Sequence, residues 1–304
     1  MNRDGHPRGR PARTALGAVS RRLADIWLNQ PGARARLSLT RYTTGAAIMR
    51  HVAHMPRGEV LQEQLAILEA AGQPRGSRRW ERTTYEALRV LTLASAAAWT
   101  LGNDHPAIRI TTNLSFLALQ RRLVAVHKDL YSYTSHLNVF LLLLSVVDSR
   151  GTTATSSRQD EVASAALAAM QIYYATMYLQ SGLSKVMVTG PKWMDGRTLR
   201  GAMAELGTPF GKSMSRRDLR LLAAASAASV AFELGFLPAM LLGWPYRHLL
   251  GLSSVAFHGS VKATMNISFW HLSCFAIPLF VLSPDVERRV RQTARLVRRH
   301  LTPC

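Results

Sequence analysis

The run from Leu221 to Gly243, LLAAASAASVAFELGFLPAMLLG, restricts this chain more than any other feature: 23 residues carry one charge, Glu233. A helix rises 1.5 Å per residue, so about 20 residues cross a hydrocarbon layer of about 30 Å. A second run, from Val162 to Leu183, carries no charge at all. Two membrane-crossing helices are therefore expected. Peptide groups in lipid have no water to bond and must pair within their own segment, so the predicted fold class is all-α.

Six weaker apolar runs share the pattern. Tyr85–Leu101 is rich in Ala and Leu, with Glu86 and Arg89 near its start, where both reach the headgroup level. Tyr133–Val147 contains FLLLLSVV, and Ile110–Val126 is interrupted by Arg121 and Arg122. Tyr246–Lys262 and Asn266–Leu282 form a final pair, and Leu39–Met55 is the weakest, with Arg50, His51 and His54 on it. Eight runs in series predict a polytopic transmembrane bundle of about eight spans, with six as the alternative. Leu61–Ala71 reads as a short amphipathic surface helix. Gln73–Arg79 and the Ser/Thr-rich Ser149–Gln159 read as loops.

Composition enters through charge. The 304 residues hold 38 Lys+Arg against 18 Asp+Glu, a net +20. More than half of that excess sits at the ends: nine Arg against Asp4 and Asp25 in residues 1–41, and six Arg against Asp285 and Glu287 in 285–304. No apolar h-region follows the basic start, so no cleaved secretory leader is expected. By the positive-inside rule both ends are expected in the cytoplasm, which places the chain in the cell membrane with an even number of spans. Residues 1–37 then form a basic cytoplasmic segment, 38–284 the membrane domain and 285–304 a basic tail. Basic ends beside spans also suit an anionic leaflet. They lack the interleaved aromatics of RNA-binding segments, so nucleic acid is not an expected partner. The loop 185–220 fits this topology poorly. It holds eight Lys/Arg against three acids, yet eight spans place it outside.

Cysteine usage narrows the chemistry. With only Cys274 and Cys304, neither a disulfide framework nor a multi-cysteine zinc site is available. His51-x-x-His54 has helical spacing but no third ligand, so no metal is assigned. The chain has no Gly-x-Ser-x-Gly elbow, no phosphate-cradling glycine loop and no internal repeat of the kind that marks many transporters.

Residues 171–199, QIYYATMYLQSGLSKVMVTGPKWMDGRTL, carry the most information. A charge-free aromatic helix leads into Ser181-Gly182-Leu183-Ser184-Lys185, then a Gly-Pro turn and Lys192-Trp193-Met194-Asp195-Gly196. The order Tyr-x-x-x-Gly-Leu-x-Lys followed by Trp-x-x-Gly resembles the signature of the HTTM family. Those are bacterial membrane proteins related to the transmembrane part of vitamin K-dependent γ-carboxylase. Glu233 with Pro238, and Phe257-His258 followed by Met265, Ile267 and Phe269, resemble later family segments. The resemblance covers roughly residues 38–284.

The resemblance implies that Lys185 is a base. Desolvation at the end of an apolar span disfavours a charged amine, which is consistent with that role. It implies Glu233 and His258 as its companions, with Lys192, Trp193, Asp195 and Gly196 as a substrate-side loop. It also implies a quinone as the only cofactor suggested, the residues themselves naming none. In length the chain is nearer to family members that mature a secreted peptide with a separate soluble partner than to the carboxylases, which continue into a large luminal region. The implied function is thus modification or maturation of a secreted peptide at the non-cytoplasmic face.

From the residues alone, each feature has a structural reading. Lys185 can anchor a helix end, and Lys192 and Trp193 suit an interfacial belt. Glu233, an ionisable group inside a span, calls for a partner among Lys185, His258 and Lys262, the last two sharing a helix face. His136, Asn138 and His271 are further candidates to line the interior, and Cys274 reads as a small apolar residue. A non-catalytic membrane protein, either a lipid or small-molecule transporter or a toxin-immunity factor, is the alternative.

Overall fold

Two helix starts show how short polar side chains and a proline set local structure in this chain. Thr208 Oγ1 accepts the Gly211 amide at 3.1 Å with Pro209 in the first turn, and Asp218 Oδ1 accepts the Arg220 amide at 2.9 Å. Both satisfy orphan amide donors at a helix N-terminus. The computed structural model describes residues 27–70, 78–124, 130–147, 157–242 and 246–282, with isolated positions in 17–24. Among them are eleven α-helices and no strand: α1 (Ala33–Ala53), α2 (Gly58–Ala70), α3 (Arg78–Thr100), α4 (Pro106–Val124), α5 (Leu130–Val146), α6 (Ser157–Ser184), α7 (Arg197–Leu206), α8 (Pro209–Ser215), α9 (Leu219–Ala239), α10 (Tyr246–Met265) and α11 (Trp270–Ala276). A π-helical stretch, Lys185–Thr189, and a 3₁₀ turn, Gly190–Asp195, join α6 to α7, and α11 continues as a π-helix over Ile277–Val281.

Side-chain registers give the helix directions. Pro56 bonds Tyr85 while Gly45 meets Thr100, so α3 runs opposite to α1. Arg109 reaches the Val147 carbonyl while Gln120 reaches Thr134, so α4 and α5 are antiparallel. His136 and Phe140 meet His271 and Phe275, so α5 and α11 are parallel. Tyr174 and Tyr178 meet Ser254 and His258, so α6 and α10 are parallel. Helices α1, α3, α4, α5, α6, α9, α10 and α11 thus alternate in direction, with α2, α7 and α8 at the end where α1, α6 and α10 finish.

Among the described residues, two helices are long and apolar enough to cross a membrane: the one continuing from Gln159 to Asp195, and Leu219–Ala239. The bundle interior is notably polar. Thr92 bonds Ser115 at 3.0 Å, Gln120 bonds Thr134 at 2.6 Å and Asn138, and Gln30 bonds Gln171 at 2.9 Å. Leu114, Leu142, Val146, Leu249 and Leu252 lie exposed on the outer faces.

Several expectations are adjusted. Leu39–Met55, the weakest run, lies in the central helix α1, with Ile48 and Val52 fully buried. Helix α1 begins at Ala33, and Arg36 in its first turn is buried. Of the basic ends, Arg36 and Arg41 are interior groups rather than leaflet contacts. Arg36 donates to Gln30 Oε1 and the Pro278 carbonyl, both at 3.0 Å, and to the Leu279 carbonyl. It thereby satisfies carbonyls that the last turn of a helix leaves open. Arg41 and Arg109 flank buried Asp104, at 3.9 and 3.7 Å. The Asn266–Leu282 run becomes helical only at Trp270, because residues 266–269 form a turn with Asn266 at φ 57°. Residues 157–159 and 78–79 are already helical; the remainder of the two expected loops, and residues 285–304, lie outside the described residues.

Replacing Arg36 with Met removes donors from three buried acceptors while keeping most of the apolar stem. An unsatisfied buried acceptor costs about 1–3 kcal/mol. Thermal unfolding is therefore expected to show Arg36→Met clearly less stable than Arg34→Met, whose arginine pairs with the exposed Asp160.

Candidate functional site

Gly182 decides where the site forms. A Cβ at this position would lie 2.9 Å from Leu234 Cδ2 and 3.1 Å from Glu233 Cβ, so only glycine lets α6 approach α9 this closely. Ser181 and Lys185 flank it at i,i+4 spacing and so share a helix face. That face meets Glu233, which is 3% exposed in the middle of an apolar helix. Lys185 Nζ donates to both carboxylate oxygens, at 2.5 and 2.6 Å, and Ser181 Oγ donates to Oε1 at 3.1 Å. The Lys185 side chain keeps 19% of its surface exposed. The charge of Glu233 is therefore compensated from within the bundle, while the lysine retains an opening to the outside.

The return segment covers that opening. Lys185 Nζ stands 5.4 Å from the centre of the Trp193 ring, in cation–π range. Gly196 holds Trp193 there. It adopts φ 80°, and a Cβ on it would lie 2.5 Å from the Ala223 amide nitrogen, so the segment rests directly on the α9 backbone. Asp195 Oδ1 accepts the Arg197 amide at 2.8 Å and its Oδ2 lies 3.8 Å from Arg197 Nε, which makes it a helix-start residue for α7. Lys192 is exposed.

His258 belongs to a second cluster one helical turn deeper. Two i,i+4 pairs face each other: Tyr174 and Tyr178 on α6, Ser254 and His258 on α10. Tyr178 Oη is 2.7 Å from both His258 Nε2 and Ser254 Oγ, Tyr174 Oη is 2.6 Å from Ser254 Oγ, and Tyr174 donates to the Leu272 carbonyl at 2.9 Å. That carbonyl can only accept, which fixes the order of protons. Tyr174 donates to it, Ser254 donates to Tyr174, Tyr178 donates to Ser254, and His258 Nε2–H donates to Tyr178. The assignment leaves His258 Nδ1 as an acceptor, buried and without a hydrogen-bond partner among the described residues. Phe236 stacks on Tyr178 with 4.6 Å between ring centres, and Phe232 and Phe257 close the aromatic wall.

The expected partners of Glu233 thus separate. Lys185 binds it directly, whereas His258 is bonded to Tyr178. Lys262 is turned away: its Nζ bonds Asn266 Oδ1 at 2.6 Å, because the tight turn at Asn266 folds back onto the last turn of α10. His136 and His271 do share the interior, stacked at 4.6 Å with 16° between their planes, and Asn138 bonds Gln120. His51 packs edge-on against Phe116, while His54 Nδ1 is 2.7 Å from the Arg50 carbonyl, so the two histidines do not converge. Ser181, Tyr174 and Ser254 were not singled out from sequence. Their signal was the i,i+4 spacing of polar residues on otherwise apolar helices.

No protein-family model, curated protein or solved structure matches this chain.

A double-mutant cycle tests the pair. Removing one member of a buried ion pair costs about 3–5 kcal/mol because the other charge is left uncompensated. Lys185→Met and Glu233→Gln are each expected to lower the unfolding midpoint, and the double variant to be more stable than the sum of the single losses allows. Additivity would show that the two side chains do not interact.

Proposed function

We propose that this is a multi-pass membrane protein of the HTTM type, with eight spans and both termini cytoplasmic. In this reading it modifies or matures a secreted peptide at the non-cytoplasmic face, with Lys185 as the base. The observation that carries the proposal is the Lys185–Glu233 pair, which joins an intramembrane acid to the lysine of the Gly-Leu-x-Lys segment. The membrane reading is supported by the polar interior, the exposed Leu and Val faces and the alternation of eight helices. Intramembrane ionisable groups face bundle interiors and mark functional sites.

The geometry suits proton movement. An ammonium becomes a base only when its proton leaves, and the nearest acceptor is the Glu233 carboxylate at hydrogen-bond distance. Moving one proton from Nζ to Glu233 gives a neutral amine and a carboxylic acid, so no net charge is created in the apolar surroundings. The amine then takes a proton from a substrate held under Trp193. His258 Nδ1 supplies a second acceptor deeper in the bundle. In this reading a quinone, a peptide substrate and a soluble partner subunit all rest on the family resemblance.

Three measurements test the reading. Alkaline carbonate extraction is expected to leave the chain in the membrane fraction. A cysteine-accessibility scan is expected to label the exposed polar positions within 190–212, Lys192 and Lys212 among them, from outside; labelling from the cytoplasm would reverse the topology. Lys185→Arg retains a cation for Glu233 but does not act as a base near neutral pH. It is expected to lower formation of the mature form of a co-encoded peptide by about 100-fold or more, the scale of general-base catalysis. Unchanged product at normal membrane abundance would remove Lys185 from the mechanism and favour a non-catalytic role.

A further inference from the structure

The segment that follows Lys185 carries two features that the reaction does not use. Val186, Met187 and Val188 protrude in sequence from the π-helical stretch, Met187 79% and Val188 82% exposed. Leu206 and Phe210, 55% and 57% exposed, add apolar side chains from α7 and α8 at the same end of the bundle. Water gives no reason to present five such side chains at one end of a bundle. Cations occupy the same segment: Lys192, Lys212, Arg216, Arg217 and Arg220 are exposed and make no ion pair among the described residues. Two of the three acids that would offset them, Asp195 and Asp218, accept backbone amides at helix starts.

The segment is also held in place rather than trailing. Arg200 bonds the Arg217 carbonyl at 2.9 Å, the Thr208 amide bonds the Thr264 carbonyl at 3.0 Å, and Gly211 lies so close to Thr264 that a Cβ would sit 1.8 Å from its carbonyl oxygen. Helices α7 and α8 are thereby fastened across the start of α9 and the end of α10.

We infer that residues 186–217 form an in-plane elbow that lies in the headgroup layer of an anionic leaflet. Met187, Val188, Leu206 and Phe210 enter the acyl boundary, and Lys192, Lys212, Arg216 and Arg217 contact lipid phosphates. Exposed apolar side chains and cations without ion pairs, carried by one fastened segment, are the two components of interfacial binding. An acidic polypeptide would use the cations but leaves the protruding Val and Met in water, so lipid is the occupant the surface fits. The inference rests on the membrane-bundle reading above. It also gives the +5 of residues 185–220 a physical role independent of topology.

The test uses the full chain with Cys274 and Cys304 replaced by Ser, spin-labelled through Val188→Cys or Phe210→Cys. It is reconstituted in phosphatidylcholine vesicles with or without phosphatidylglycerol. Both labels are expected to collide with oxygen more than with a water-soluble nickel chelate. Phosphatidylglycerol retained on the detergent-extracted protein is expected to fall with salt. It should fall by about 100-fold in Lys212→Gln/Arg216→Gln/Arg217→Gln, since each cation at such a surface is worth about fivefold. Labels that favour the nickel chelate, or retention that ignores the substitutions, would overturn the elbow. So would a poly-glutamate probe that binds the unmodified chain and not the glutamine variant while the labels stay in water. Release by alkaline carbonate would instead overturn the bundle reading itself.

Discussion

Glu233 sits in the middle of a long apolar helix, and much of the arrangement around it follows from the need to compensate that one carboxylate. An isolated charge in such surroundings is too costly to keep. Compensation requires a cation within hydrogen-bond reach, and reach requires that α6 and α9 come closer than ordinary side chains permit. Gly182 permits it, and Ser181 and Lys185, one on each side of that glycine, supply the donors. The π-helical stretch begins at Lys185 itself, where the chain leaves α6 and turns back over the pair through Gly190 and Gly196. π-Helical insertions often accompany functional sites.

The same logic operates at the opposite end of the bundle with arginine. Arg36 satisfies carbonyls near the end of the last helix, and Arg247 bonds the carbonyls of Met240 and Leu242 after α9 while lying 5.3 Å from the Trp27 ring centre. Asp104, buried between Arg41 and Arg109, also accepts from Trp99 Nε1 at 3.1 Å. Helix ends are closed here by side chains drawn from distant parts of the sequence. On the proposed membrane reading the interior has to be self-sufficient, because the surrounding medium offers no partners. The Tyr178–Ser254–Tyr174 chain shows this in small: each hydroxyl donates once, and the last donation ends on a backbone carbonyl.

How much of this was legible in the sequence depends on whether the relevant distance runs along a helix or between helices. The helical class, the two long apolar helices and the isolation of Glu233 are local properties of consecutive residues, and they could be read directly. Lys185 stood out because a cation directly follows a charge-free run. Lys262 was an equally reasonable partner for Glu233 on spacing. It is excluded by the turn at Asn266, a backbone conformation that the residue types around it did not announce. Arg36 and Arg41 looked like surface charge because Arg-rich ends usually are. Their burial follows from where the last helix and the Asp104 turn happen to lie.

What the sequence determined by itself is therefore the inventory: helices, apolar lengths, one acid inside a long apolar run and an excess of cations with little to offset them. What only the tertiary structure decided is which of those groups meet. Spacing of three or four residues places side chains on a common face, but a partner on another helix depends on the height at which two helices cross. Here Gly182 sets that height for Lys185 and Glu233. The parallel alignment of α6 and α10 sets it for Tyr178 and His258, which no pattern within either helix specifies.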